Sequence, residues 1–134
     1  MKATPIISRY FRKTGFWRKS NEEKLQVMQN ALTELNVVYN KDVRLVYEHN
    51  EFFRLVTGGG RYDSNSNTIY LYRFSLMTFL HEFAHALGYN QNDAVIWSHK
   101  VFKEAMPVLY QKSLQRGLFI HSPLQDTVDN FQEV

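Results

Sequence analysis

The chain has no cysteine. That absence excludes a disulfide framework and any thiolate-bound metal, leaving imidazole and carboxylate as the side chains able to ligate one. Long apolar runs are missing as well. No stretch approaches the roughly 20 residues of a transmembrane helix. The N-terminus scatters charges among apolar residues where a secretory signal would carry an apolar run of about 7 to 15 residues. An intracellular, soluble protein without a membrane partner is the expectation, either cytoplasmic or associated with the nucleoid or nucleus. Proline (three) and glycine (six) are scarce, and no repeat, low-complexity block or linker divides the sequence. With 44% apolar residues in 134, residues 1–134 are expected to form a single domain with its own core.

Acids are absent from the first 21 residues. Lys2, Arg9, Arg12, Lys13, Arg18 and Lys19 all precede Glu22, whereas only acids follow Arg116, although the net charge is a mild +3. A basic segment over 1–20 suits phosphate contacts, with Tyr10, Phe11, Phe16 and Trp17 interleaved as candidate stacking groups. Arg9, Arg12, Lys13, Arg18 and Lys19 are therefore the candidate DNA- or RNA-binding residues. The competing reading is a solvated segment anchored by its aromatics.

Ser20 followed by Glu23 is a capping-box pattern, and Leu25, Met28, Leu32 and Leu35 repeat at helical spacing, predicting a helix over about 21–35. Val43, Leu45 and Tyr47 alternate with more polar residues, and Phe53, Leu55 and Thr57 do so more weakly, which predicts short strands. Gly58, Gly59 and Gly60 predict a turn or bulge, since glycine permits positive φ and close backbone approach. Asn65, Ser66 and Asn67 supply a second turn before the β-rich run Thr68, Ile69, Tyr70, Leu71 and Tyr72. Leu76, Leu80, Phe83 and Leu87 form one stripe, so a helix over 75–87 is predicted, with Gly88 placed to end it. Asp93 is a candidate cap for a second helix carrying Val95, His99, Phe102 and Met106 on one face, which Pro107 ends or kinks.

The first of these helices carries His81-Glu82-Phe83-Ala84-His85. Histidines four apart lie one above the other on a helix and can reach a single tetrahedral zinc, while the adjacent Glu82 can take the proton of a zinc-bound water. A catalytic site of this kind needs a third ligand. Gln91, Asp93, His99, Glu104 and His121 follow in the sequence. The pattern HExxHxxGxxH fails at Gln91. His99 sits on an apolar face where a metal would account for it, although a histidine there is more often a packed core residue, and Asp93 is an alternative oxygen ligand. Tyr62, Tyr89 and His121 are candidates to donate to an oxyanion.

Residues 58–106, from the three glycines through the Ile69-Tyr70-Leu71 strand and the HExxH segment to His99 and Phe102, resemble the SprT-like zinc metallopeptidases, which include the Spartan proteases that degrade DNA-protein crosslinks. Lys100 stands where that family has glycine, and the zinc-ribbon tail of many members has no counterpart. The resemblance implies His81, His85 and His99 as ligands of one Zn2+ and Glu82 as the catalytic base. The expected architecture is an α+β domain in which a small sheet packs against helices, with a zincin-like HExxH helix and a following helix supplying the third ligand. The expected activity is zinc-dependent hydrolysis of protein or peptide substrates, DNA-associated proteins among them. Two rival readings are a nucleic-acid-associated zinc protein that cleaves nothing and a compact helical interaction module without metal.

Overall fold

The computed structural model describes residues 1–133. Its elements run α1 (Thr4–Phe11), α2 (Asn21–Tyr39), β1 (Arg44–Tyr47), α3 (Glu51–Thr57), β2 (Gly60–Asp63), β3 (Thr68–Leu71), α4 (Leu76–Ala86), α5 (Gln91–Ala105), α6 (Pro107–Gln115) and α7 (Gln125–Asn130), with a short 3-10 turn at Phe16–Arg18. The Ser20 hydroxyl accepts from the Glu23 N–H and the Glu23 carboxylate accepts from the Ser20 N–H, so α2 starts at the reciprocal cap legible in the sequence. It runs on to Tyr39, ending where Asn40 turns left-handed (φ 53°).

β3 is the central strand of the order β1-β3-β2, parallel to β1 and antiparallel to β2. Its β-branched and aromatic residues suit that place, and Thr68, Ile69 and Leu71 are buried. The strand expected over 53–57 is a helix instead. Asn50 accepts from the Phe53 N–H at 3.0 Å and starts the turn of α3, which Gly58 ends at φ 73°. Gly60, expected in a turn, opens β2.

α4 begins at Ser75, whose hydroxyl accepts from the Thr78 N–H at 3.2 Å, and Asn90 rather than Asp93 caps α5, accepting from the Asp93 N–H at 2.9 Å. Pro107 takes the first turn of α6, where its missing N–H costs no hydrogen bond. α4 packs against the sheet and against α5, and α1 lies on α2 and α5. Phe79, Leu80 and Phe83 from α4 meet Trp97 and Val101 from α5 in one continuous core that includes Ile7, Phe11, Leu35 and Ile69. At the rim, the Glu133 carboxylate accepts from the Lys2 N–H (2.9 Å), the Tyr39 hydroxyl (2.5 Å) and Trp97 Nε1 (2.8 Å).

The class is a mixed α+β fold, but the zincin-like part of the expectation is corrected. Among the described residues no group of three or more His, Cys, Asp or Glu could hold a metal ion. No helix among them is long and apolar enough to cross a membrane.

Candidate functional site

His81 and His85 face the same way from successive turns of α4, their rings edge to face with centroids 4.7 Å apart. Their Nε2 atoms are 3.1 Å apart, and Gln91 Oε1, on the first residue of α5, stands 3.1 Å from each. His85 Nδ1 lies 3.0 Å from the Tyr89 carbonyl oxygen. A carbonyl only accepts, so in the neutral ring that nitrogen carries the hydrogen and Nε2 keeps its lone pair. The triangle then holds two acceptors, His85 Nε2 and Gln91 Oε1, and one donor, His81 Nε2–H. It is rich in acceptors.

Glu82 adds another. Its side chain is buried in the wall between α4 and β2, 8% exposed, and burial pushes its carboxyl pKa up, against the opposing pull of a charged His85 and of a backbone hydrogen bond from Tyr62. Burial likewise depresses His81 to about 4, assisted by the charge of His85 and opposed by the contact with Gln91.

The side chains border two connected spaces. A cavity of about 310 Å³ lies between Val56, Met77, His81, Glu82, His99 and Ile120, and a groove of about 590 Å³ runs past Gly60 and Tyr62 to His81, His85 and Gln91. The main chain of β2 forms the groove's other side. The Tyr72 N–H bonds to the Gly59 carbonyl, so by antiparallel alternation Arg61 and Asp63 face β3 while the main-chain groups of Gly60 and Tyr62 face the free edge.

His99 is placed differently from the other two histidines. It is 2% exposed, its Nδ1 is 2.8 Å from the Tyr110 hydroxyl, and its ring packs edge-on against Tyr110 and Phe119 at 5.6 and 4.9 Å. Burial depresses its pKa to about 4, opposed by the His121 backbone. This is a packed histidine with a polar partner. Its engagement in the core is why the expected ligand set does not assemble: only His81 and His85 converge, and the third corner of their triangle is an amide.

The basic segment also divides. Arg9 pairs with Glu34 at 2.5 Å, and Tyr10 donates a hydrogen bond to the same carboxylate. Phe11 and Phe16 are core residues, leaving Trp17 as the aromatic with a face toward solvent. Arg12 and Lys13 line a separate cavity, Arg18 lies against Gly15, and Lys19 closes the 3-10 turn.

No family model, no curated protein and no solved structure matches the chain. With no metal-holding group among the described residues, the assignment to the SprT-like metallopeptidases is withdrawn. The bound Zn2+, the hydrolase activity with Glu82 as its base, and the rival zinc protein without activity fall with it. Sequence reasoning passed over Gln91 as a poor zinc ligand, yet it completes the histidine triangle; its place at the start of the helix after the HExxH segment was the available signal. Val56 and Ile120 came with no signal, since a short apolar run does not announce that it stays exposed.

Proposed function

We propose that this protein is an interaction module whose cleft binds an extended, apolar polypeptide segment. The observation that carries this reading is the state of α3: it buries none of its side chains, with Phe52 and Leu55 exposed by 68 and 77% and Val56, 66% exposed, lining the cleft. Ile120, 70% exposed, stands opposite. Apolar side chains gathered at the mouth of a groove mark a surface that gains free energy when covered.

The groove also suits a main chain. A segment laid along β2 meets the outward groups of Gly60 and the Tyr62 carbonyl, the Tyr62 N–H being held by Glu82, and adding a strand to a free edge is a general mode of peptide recognition. Its N–H groups then find acceptors at Gln91 Oε1 and the Glu82 carboxylate, while alternate side chains reach Val56 and Ile120. His81, Glu82, His85 and Gln91 are polar anchors in this reading, and His99 supports the cavity wall.

Fluorescence anisotropy with a labelled heptapeptide of alternating Val and Thr tests it, alongside the same peptide N-methylated at alternate backbone positions. Binding of the first and a loss of at least about tenfold for the second, equivalent to about 1.4 kcal/mol, is expected. The Leu55→Asp/Val56→Asp double variant should lose as much. Equal affinities across these comparisons would overturn the proposal.

A further inference from the structure

On the far side of α1, Phe11, Trp17, Met106 and Leu109 wall a cavity of about 350 Å³, with Arg12, Lys13 and Lys112 around it. The volume is within the usual range for small-molecule sites. No acid lines it. Some cations elsewhere are engaged: Arg9 with Glu34, Arg54 with Glu51, Lys103 with Asp129 and Lys100 with two backbone carbonyls. Arg12, Lys13 and Lys112 have no ion-pair partner among the described residues. An isolated lysine in solvent needs no explanation, but three cations converging on one apolar hollow combine two unmet demands.

The apolar demand is visible in Trp17 and Val108, exposed by 44 and 65% beside the hollow. The polar demand is increased by α6, whose N-terminus has no side-chain cap, so the first amides after Pro107 add a partial positive charge at the same place. Lys13 holds φ 57° at the end of α1, a backbone conformation usually left to glycine.

We propose that this cavity binds a small amphipathic anion, a medium-chain alkyl carboxylate, with its apolar body between Phe11, Trp17 and Met106 and its carboxylate among Arg12, Lys13 and Lys112. The charge pattern suits a single anionic head, because all three cations line one hollow. The apolar walls favour a hydrocarbon body over a bare inorganic ion.

Decanoate below its micelle concentration is the probe, followed by calorimetry and by tryptophan emission. Trp17 lies at the site and Trp97 is buried in the core, so Trp17→Phe should abolish the emission change. The expected result is saturable one-to-one binding, at least tenfold weaker for the neutral decanol and for the Arg12→Ala/Lys112→Ala variant, and not displaced by millimolar inorganic phosphate. Lys13→Gly is the second variant. It should weaken decanoate binding severalfold while leaving the melting temperature unchanged or higher, which separates a ligand contact from a fold contact. Absence of heat and emission change at millimolar decanoate would overturn the proposal, as would equal binding of decanol or displacement by phosphate. Displacement of decanoate by micromolar oligothymidylate would also overturn it, by making a polynucleotide the occupant.

Discussion

Acidification should unfold this protein partly through His99. A histidine buried neutral in the fold must gain its proton there against burial, and its pKa is depressed from 6.5 to about 4. Between those values the unfolded chain binds the proton and the folded chain does not, so stability falls as pH drops through that window and is fully present above it. Each unit of pKa difference is worth about 1.4 kcal/mol, which puts the loss between pH 7 and pH 4 on the order of 3 kcal/mol. Typical total stability is only about 5 to 15 kcal/mol. His99→Gln removes the titration while keeping a hydrogen-bonding group near the Tyr110 hydroxyl, which also accepts from Gln125 Nε2 at 3.1 Å. Urea unfolding followed by near-ultraviolet circular dichroism at pH 7, 6, 5 and 4 measures both proteins. The variant should start less stable, by about 1 to 2 kcal/mol for an imperfect replacement, and should meet or pass the wild type near pH 4. Comparison of the two proteins largely cancels His81 and the carboxyl groups common to both. Parallel stability curves across the window would refute the reasoning.

Two further outcomes follow from the packing. Glu133→Ala deprives Lys2 N–H, Tyr39 hydroxyl and the buried Trp97 Nε1 of their common acceptor, and should cost about 2 to 3 kcal/mol in thermal unfolding at neutral pH. Burial alone would raise the Glu133 pKa, but its hydrogen bonds outweigh that and hold it below 4.5; its contribution is therefore present above that value and lost as pH falls through the depressed one, so wild type and variant should converge in acid. Gly60→Ala would bring a methyl group to 2.8 Å from Thr78 Cγ2 and 3.0 Å from the Tyr70 carbonyl oxygen. Overpacking of this kind costs about 1 to 3 kcal/mol. Thr78→Ser, which removes the closest of three tight approaches (the third is Leu71 Cδ2 at 3.1 Å), should recover part of the lost melting temperature, and a full recovery would show that the Tyr70 and Leu71 contacts are harmless.

The elements most legible in the sequence were those with a local cause. The Ser20–Glu23 cap and the apolar stripe over 76–87 both involve residues within a few positions of each other, and α2 and α4 lie close to where those signals placed them. The run of three glycines was legible in kind: Gly58 and Gly59 have φ of 73° and 113°, and Gly60 is held by close approach. α3 was misread because a short apolar run fits a strand or a helix equally well, and the Asn50 cap that decides it is a single residue. The site was legible only in part. Spacing alone brings His81 and His85 together on one helix, but the surroundings of His99 depend on Tyr110, Phe119 and His121, which arrive through the packing of α6 and the segment after it. Such contacts between distant parts of the chain leave no periodic trace. The aromatic residues of the basic segment show the same effect, since Phe11 and Phe16 are spent on the core, half-buried Tyr10 is held by Glu34, and Trp17 remains outside.

Along α4, residues that shape the cleft (His81, Glu82 and His85) alternate with residues that hold the molecule together (Phe79, Leu80, Phe83 and Ala84). α3, on the opposite side, buries none of its side chains, its contact with a buried ring being Phe53 against Tyr72 at 5.4 Å. The two sides of one cleft are therefore exposed to change very differently. A substitution on α4 that improves recognition puts the whole fold at stake, whereas the residues of α3 can vary with little penalty to folding. Diversification among descendants of this chain should collect on the side that the fold can spare, altering which segments are preferred while the acceptors that meet their main chain stay as they are.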